Sequence, residues 1–284
     1  MYSAPVRTVK RQAVASRAPR RAAVRGFAAL VLALPLVGCG PDGPSPPSPM
    51  ADPSVAWSQR LREVVSAEGL VDYAALRGDP AALRDFVGWA AEHGPETERW
   101  RGTDDNRRLA FSLNALTAVT LWSVLEGVPR DPAAGRPPFA RLRFALDGDV
   151  VRYDRFVAHQ VLARIEEPLA VAALPCAALS CPPVSDRLYE KKDIDDALAL
   201  RMRRWVASGR LVTDTGAGFT FSPALRPWLA AFARYDAAET PCAAVAPYAL
   251  QPLRARLEGP CTYAWGPWDG TLDAVANGAH DRER

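Results

Sequence analysis

Histidine is scarce in this sequence of 284 residues, which contains three, placed far apart along the chain. A metal site built from neighbouring histidines is therefore not indicated, and Cys176 and Cys181 have no matching pair of histidines. The chain also lacks a glycine-rich phosphate-binding loop and a Gly-x-Ser-x-Gly segment. Asp193–Asp196 is acidic but lacks the glycine and terminal glutamate of a calcium loop, and it is more typical of a helix start. The sequence therefore predicts no metal and no cofactor.

Acidic residues are absent from the first 38 positions, where seven Lys or Arg residues precede a short apolar run that ends in Leu36-Val37-Gly38-Cys39. The run is too short to stay in a bilayer as a spanning helix, and this pattern is typical of a signal peptide. The Leu-x-Gly-Cys spacing resembles a bacterial lipobox, which predicts cleavage before Cys39 and a lipid on its side chain. An ordinary secretory signal with an incidental Cys39 is the alternative. Arg20-Arg21 raises the twin-arginine route, but the residues after this pair are only weakly apolar, which favours general secretion.

Loss of residues 1–38 reverses the net charge of the chain. The whole sequence has 35 basic and 32 acidic residues, whereas residues 39–284 keep 28 basic and 32 acidic residues, a net charge of −4. Nucleic-acid binding therefore loses its main support. Residues 39–54 are rich in Pro, Gly and Ser and predict a disordered tether. Residues 55–284 are long enough for one domain with a sizeable core.

Cysteine usage agrees with export. With Cys39 lipidated, four of the five cysteines remain: Cys176, Cys181, Cys242 and Cys261. An even number in an oxidising compartment suggests two disulfides. Proximity in the sequence favours Cys176–Cys181 and Cys242–Cys261, although four cysteines allow three pairings. Buried free thiols are the alternative.

The apolar patterns of residues 55–284 predict an α+β fold, a mostly helical single domain with a small antiparallel sheet of hairpins. Helical spacing covers residues 57–65, 79–90, 103–127 and 193–207, and the third of these is apolar on nearly every face. Alternating residues around Asp147-Gly148 and around residues 216–218 predict two hairpins. Four more specific expectations concern single elements: a cap at Thr103 or Asp104, a cap at Asp154 for a helix that carries His159, a short buried strand over 169–174, and outward positions for Arg201, Arg203 and Arg204.

Four segments of the chain carry a family resemblance. Gly69–Tyr73 reads Gly-Leu-Val-Asp-Tyr, Ala110–Thr117 lies in the central helix, Pro168–Pro182 ends in a Cys-x4-Cys-Pro motif, and Trp268–Asp273 lies near the end. In this order they resemble the bacterial and plant family called domain of unknown function 547, and they span most of residues 55–284. The Cys-x4-Cys-Pro motif is the most specific of the four. Because that family has no settled activity, the resemblance implies a fold and a location in the cell envelope rather than a reaction.

The chain departs from the family pattern at polar positions. Asn114 keeps the first family asparagine, but the second falls on Thr117, and the family histidine of the third segment falls on Val171. A valine removes any proton transfer or ligand role at that position. These changes favour a non-catalytic binding or scaffold module, with Asn114, Thr117 and Cys176 as candidate binding residues. We expect Asn114 to face the Cys176–Cys181 segment, because a buried amide needs backbone partners.

A cysteine-dependent amide hydrolase or acyl transferase is the alternative function. Cys181 would act as the nucleophile, His159 as the base and Asp269 as the orienting acid, in the manner of papain-like and transglutaminase-like enzymes. Against this, a disulfide at Cys181 would remove the nucleophile, and a lone histidine at a helix edge is more often structural. In either case the expected partners are the membrane, through the lipid on Cys39, and an unknown envelope protein or small ligand, but no nucleic acid.

The anchor is tested by replacing its acceptor. Cys39→Ser should release a soluble or uncleaved protein from the membrane fraction, because the lipid would have no attachment site. Gly40 should permit transport to the outer membrane, so Gly40→Asp is the matched variant and should shift the protein to the inner membrane. Fractionation and mass spectrometry of the N-terminal peptide measure both. A Cys39→Ser protein that still fractionates as a mature lipoprotein would contradict the prediction.

Overall fold

The structure is a computed structural model that describes residues 52–100, 104–128 and 141–275. The predicted signal peptide, Cys39, nearly all of the predicted tether and Thr103 lie outside these ranges. Of the residues in these ranges, 54% are helical, and they include two small sheets, so the predicted α+β fold class is confirmed. The first helix begins at Ser54, one residue before the predicted start of the domain.

The described residues form helices of three kinds and five short strands. The α-helices are α1 (Ser54–Val64), α2 (Tyr73–Gly78), α3 (Ala81–Glu92), α4 (Asp105–Leu125), α5 (Tyr153–Phe156), α6 (Ile194–Ala207), α7 (Leu229–Tyr235), α8 (Pro241–Val245) and α9 (Leu253–Leu257). A π-helix at Val157–Ile165 continues α5, and 3-10 helices lie at Pro168–Ala173, Lys191–Asp193, Pro223–Trp228 and Ala246–Tyr248. The strands are β1 (Arg143–Leu146), β2 (Asp149–Arg152), β3 (Val212–Asp214), β4 (Phe219–Phe221) and β5 (Tyr263–Trp265).

Helix α4 lies between two hydrophobic clusters. Its N-terminus is capped by Asp104, whose carboxylate accepts the backbone N–H of Arg107 at 3.2 Å. One cluster contains Leu109, Leu113 and Leu116 of α4 together with α6, β4 and the C-terminal helices. The other contains residues of the opposite α4 face and packs them against α1, α2 and α3: Phe111, Ala115, Ala118 and Leu121. The predicted apolar central helix and its Asp104 cap are therefore confirmed.

By length and composition, α4 is also the one candidate membrane span among the described residues. However, 78% of its most apolar window is buried inside the protein. A helix at the centre of a packed core meets the same two criteria, so this is weak evidence for membrane crossing.

Gly69 allows the Gly69–Tyr73 segment to pack against Cys181–Pro183, which we call the Cys-Pro-Pro segment. Its φ is +73°, and a Cβ built there would lie 2.4 Å from Cβ of Pro183. Both the left-handed backbone and the close approach therefore require glycine. The backbone N–H of Val184 donates to Gly69 O at 2.9 Å. At the other end of the Gly69–Tyr73 segment, the Tyr73 hydroxyl donates to Oδ1 of Asp273, in the C-terminal part of the chain, at 2.8 Å.

The strands form two separate sheets. β1 and β2 pair antiparallel through a turn in which Asp147 and Gly148 both have positive φ, as a primed turn requires. β3 and β4 also pair antiparallel, so both predicted hairpins are confirmed. The short strand β5 was not predicted, and it joins β4 in parallel. With three residues it is too short to show a clear alternation in the sequence.

Two predicted local elements are wrong. Residues 169–174 do not form a strand: Pro168–Ala173 is a buried 3-10 helix, which Pro168 begins and the Glu167 carboxylate caps at 2.8 Å from Leu169 N. A short apolar run does not distinguish a strand from a buried helix. Asp154 is not a helix cap, because the N-cap position of α5 is Arg152. Instead, Asp154 lies in the first turn and forms an ion pair with Arg152 at 2.5 Å.

Two disulfides, Cys176–Cys181 and Cys242–Cys261, are present, as predicted. Replacing Cys242 and Cys261 together with Ala should lower the free energy of unfolding by about 3 kcal/mol, because the bridge reduces the conformational entropy of the unfolded chain. Urea unfolding measures the loss, and mass spectrometry without reduction should find the linked peptides. The Cys176→Ala, Cys181→Ala double variant is the comparison: it opens a smaller loop and should lose roughly 1 kcal/mol less. Free alkylation of both C-terminal thiols in the native exported protein would contradict the pairing.

Candidate functional site

The Cys176–Cys181 loop is a buried segment held by a disulfide and by hydrogen bonds of its backbone. Both cysteines are 3% exposed and joined by the disulfide. The loop backbone is bound from two sides. Leu179 N donates to Thr271 O at 2.9 Å, and Ser180 N donates to Asp269 O at 3.2 Å. From the other side, the Ser222 hydroxyl donates to Ser180 O at 2.6 Å. The loop is therefore a preformed structure.

A cavity of about 310 Å³ opens over this disulfide. Its volume is at the lower end of the range of small-molecule sites. One side is lined by the disulfide and by Trp268, which packs against it. Val171 also lines the cavity and is 3% exposed. The lining around the disulfide is therefore apolar.

The opposite walls come from two irregular helices. The π-helix contributes Val157, Ala158 and Leu162, and the Pro223–Trp228 helix contributes Pro227 and Trp228. π-helical turns are rare and are frequent at functional sites, since the extra residue per turn redirects side chains. Prolines restrict the backbone of the facing wall, so this cavity has little freedom to collapse.

Two polar side chains border the cavity, and each already has a partner. Burial raises the pKa of the Tyr153 hydroxyl well above its ordinary value, so it stays protonated and donates to Pro175 O at 3.3 Å. Burial opposes ionisation of Asp154, but hydrogen bonds from Arg152 and from the Arg155 backbone outweigh it and lower the pKa of the carboxyl. The cavity edge at Asp154 therefore carries a negative charge near neutral pH.

Arg201 is buried, which corrects its predicted outward position. It is 3% exposed, and its guanidinium donates to the carbonyl of Pro183. Burial lowers the pKa of this guanidinium. The sequence contains the signal for burial, because position 201 follows Leu198 by three residues and precedes Trp205 by four. We interpret Arg201 as the residue of α6 that fixes the Cys-Pro-Pro segment through the carbonyl of Pro183.

Asn114 binds a different backbone segment from the one predicted. Its Nδ2 donates to Tyr189 O at 2.9 Å, and its Oδ1 accepts from Tyr189 N at 2.8 Å. The expectation that it faces the Cys176–Cys181 loop is therefore wrong, although the reason behind it holds: a buried amide has found a backbone N–H and C=O. Tyr189 comes before α6, at the end of the chain segment that leaves the loop.

Thr117 is not among the residues that line the cavity over the disulfide. It is buried, and its hydroxyl donates to Leu113 O at 2.8 Å within α4. This bond to the preceding helical turn is the usual solution for a threonine in a helix. Of the predicted binding residues, only Cys176 lines the cavity.

The structure does not bring Cys181, His159 and Asp269 together as a triad. Cys181 is bonded to Cys176, so it has no thiol. His159 is exposed on the π-helix, and the described residues show no hydrogen bond between it and either of the other two. Asp269 accepts from Thr271 N at 2.9 Å and lines a different, shallower cavity. A base next to a free nucleophile, which this chemistry needs, is not formed by these three side chains.

A separate cleft, lined by Glu96, Arg108 and Arg164, is filled by ion pairs among these three side chains. Its volume is about 200 Å³. Glu96 pairs there with Arg108 at 2.5 Å and Arg164 at 3.1 Å, and hydrogen bonds from Arg108 lower the pKa of its carboxyl.

Within residues 52–100, 104–128 and 141–275, no three His, Cys, Asp or Glu side chains are grouped as metal ligands would be. The cavity over the disulfide is thus the best candidate site.

The chain matches no protein-family model, no curated protein and no solved structure. The resemblance inferred from the four sequence segments therefore stays a prediction.

The role of Asn114 is tested by Asn114→Leu. This change should lower the free energy of unfolding by about 2 kcal/mol or more, because it leaves the buried N–H and C=O of Tyr189 without partners. Thr117→Val is the matched control on the same helix and should cost about 1 kcal/mol or less, since Leu113 O keeps its helical donor. Urea unfolding followed by circular dichroism measures both. Equal stability of Asn114→Leu and the parent protein would contradict this assignment.

Proposed function

We propose that this protein is a non-catalytic binding module of the bacterial cell envelope, anchored by a lipid on Cys39, and that it holds a small apolar ligand in the cavity over the Cys176–Cys181 disulfide. The single observation that carries the proposal is the cavity itself. It is preformed and lined mainly by apolar side chains, among them the indoles of Trp228 and Trp268. Cavities of this composition are the usual sites for small molecules.

The same cavity argues against catalysis. The sulfur that a cysteine hydrolase would use is bonded to Cys176, and Val171 occupies the position of the family histidine. Tyr153 and Asp154 are each held in a hydrogen bond or an ion pair. The buried indole N–H of Trp268 has no hydrogen-bond partner among the described residues, but an indole is a donor only and is no general acid or base near neutral pH. The surface therefore favours binding over proton transfer.

The proposed location rests on the sequence and on the disulfides. The basic, apolar and Leu-x-Gly-Cys pattern of residues 1–39 supports export and lipidation. Two disulfides support an oxidising compartment, because thiols are kept reduced in the cytosol. We also propose that the chain is a divergent relative of the domain of unknown function 547. Contacts among its family-like segments, such as the hydrogen bond of Tyr73 with Asp273, support this.

The binding proposal is tested with the neutral apolar fluorophore N-phenylnaphthylamine. The full-length Cys39→Ser protein should bind it and quench tryptophan emission, since Trp228 and Trp268 line the cavity. Ala224→Phe, which fills the cavity, should weaken binding by about tenfold or more, equivalent to losing about two buried methylenes. Ala243→Phe, at an exposed helical alanine away from the cavity, is the control.

Two results would contradict the proposed function. The first is equal binding by the parent and by a folded Ala224→Phe protein, with folding checked by urea unfolding. The second is stoichiometric labelling of Cys181 by iodoacetamide near neutral pH in the exported, unreduced protein, which would restore the enzyme hypothesis.

A further inference from the structure

A second apolar cavity lies beside the one over the disulfide. It has a volume of about 410 Å³ and lies between the π-helix and α7. Ala158, Leu162 and Pro227 line both cavities, so the two meet along one border. We call the cavity over the disulfide the inner cavity and the second one, which includes Arg234 and Tyr235, the outer cavity.

We propose that the inner and outer cavities together form one elongated groove that binds a free fatty acid, with its carboxylate at Arg234 and its chain end near the Cys176–Cys181 disulfide. This inference rests on the proposed function and names the ligand class of the same site.

The lining of the groove fits a hydrocarbon chain better than a peptide. The outer cavity is lined largely by alanines, including Ala163, Ala230 and Ala231, and these offer no side-chain hydrogen bonds. The N–H and C=O groups of a peptide that faced these alanines would find no side-chain partners there. An acyl chain needs only apolar contact, and each buried methylene contributes about 0.8 kcal/mol.

The charges at the two ends set the orientation of the ligand. Arg234 is exposed and forms no ion pair with any residue in the described ranges, and Tyr235 beside it carries a hydroxyl. The Tyr235 side chain and, more weakly, Glu166 raise the pKa of the Arg234 guanidinium, so a bound carboxylate would compete with both for this cation. At the inner end, Asp154 is already paired with Arg152, and no Lys or Arg is among the described residues that line the inner cavity. The cation that lines the combined groove is thus Arg234 at its outer end, and the headgroup is assigned there.

The border that the two cavities share includes one small side chain, Ala158, beside Leu162 and Pro227. Ala163 follows Leu162 on the π-helix and lines the outer cavity alone. Because the cavities share this border, a single acyl chain can extend from the outer cavity into the inner one.

Calorimetric titration of the full-length Cys39→Ser protein with octanoate, dodecanoate and hexadecanoate tests the chain. Affinity should rise with length, by up to about fourfold for each added methylene that the groove buries. Ala163→Phe, which obstructs the outer cavity alone, should remove most of this gain and leave binding of N-phenylnaphthylamine in the inner cavity unchanged. Ala207→Phe, at an exposed alanine on α6, is the control.

The headgroup is tested by charge removal. Arg234→Gln should weaken hexadecanoate binding about twofold to fivefold, the worth of an exposed ion pair. It should leave binding of the uncharged hexadecanol unchanged. Arg203→Gln, at an exposed cation on α6, is the matched control and should change neither.

The outcomes separate this inference from the proposed function. If N-phenylnaphthylamine binds but hexadecanoate binds no more tightly than octanoate, the elongated groove is wrong and the apolar site stands. If hexadecanoate and hexadecanol respond alike to Arg234→Gln, the assignment of the headgroup is overturned. If none of the probes binds, the proposed function fails as well.

Discussion

Helix α4 is apolar around nearly its whole circumference because it packs against a hydrophobic cluster on each side. Leu109 and Phe111 are two positions apart, which places them on nearly opposite faces, and each belongs to a different cluster. Most of the central helix is therefore enclosed, although Arg108, Phe111 and Ser112 line the cleft that holds Glu96. The cavity over the disulfide forms in the layers around α4.

Asn114 links this central helix to the layer that carries the site. Its two hydrogen bonds to Tyr189 fix the segment between the disulfide loop and α6. Arg201 holds the same segment from α6, by donating to Pro183 O. The amide and the guanidinium are both satisfied by backbone groups, so they position the Cys-Pro-Pro segment and contribute no reactive group to the cavity.

Much of the helical framework was predictable, and most of the site was not. The hairpins, the Asp104 cap and both disulfides follow from local spacing, because each depends on residues that are close together in the sequence. The buried strand predicted over 169–174 became a 3-10 helix, since apolar runs this short fit either structure. Arg201 was predicted to face outward because it is charged, whereas its spacing from Leu198 and Trp205 indicates the buried face of α6.

The sequence by itself determined the fold class and the central helix and favoured the cysteine pairing that the structure has, because these depend on composition and on short-range periodicity. Only the tertiary structure decided what surrounds the disulfide. The π-helix, the Pro223–Trp228 helix and Trp268 come from three distant parts of the chain and meet at one cavity. The tertiary structure also decided that Asn114 binds the backbone of Tyr189 rather than the Cys176–Cys181 loop. Such contacts depend on how whole elements pack, and local sequence patterns carry no record of that packing.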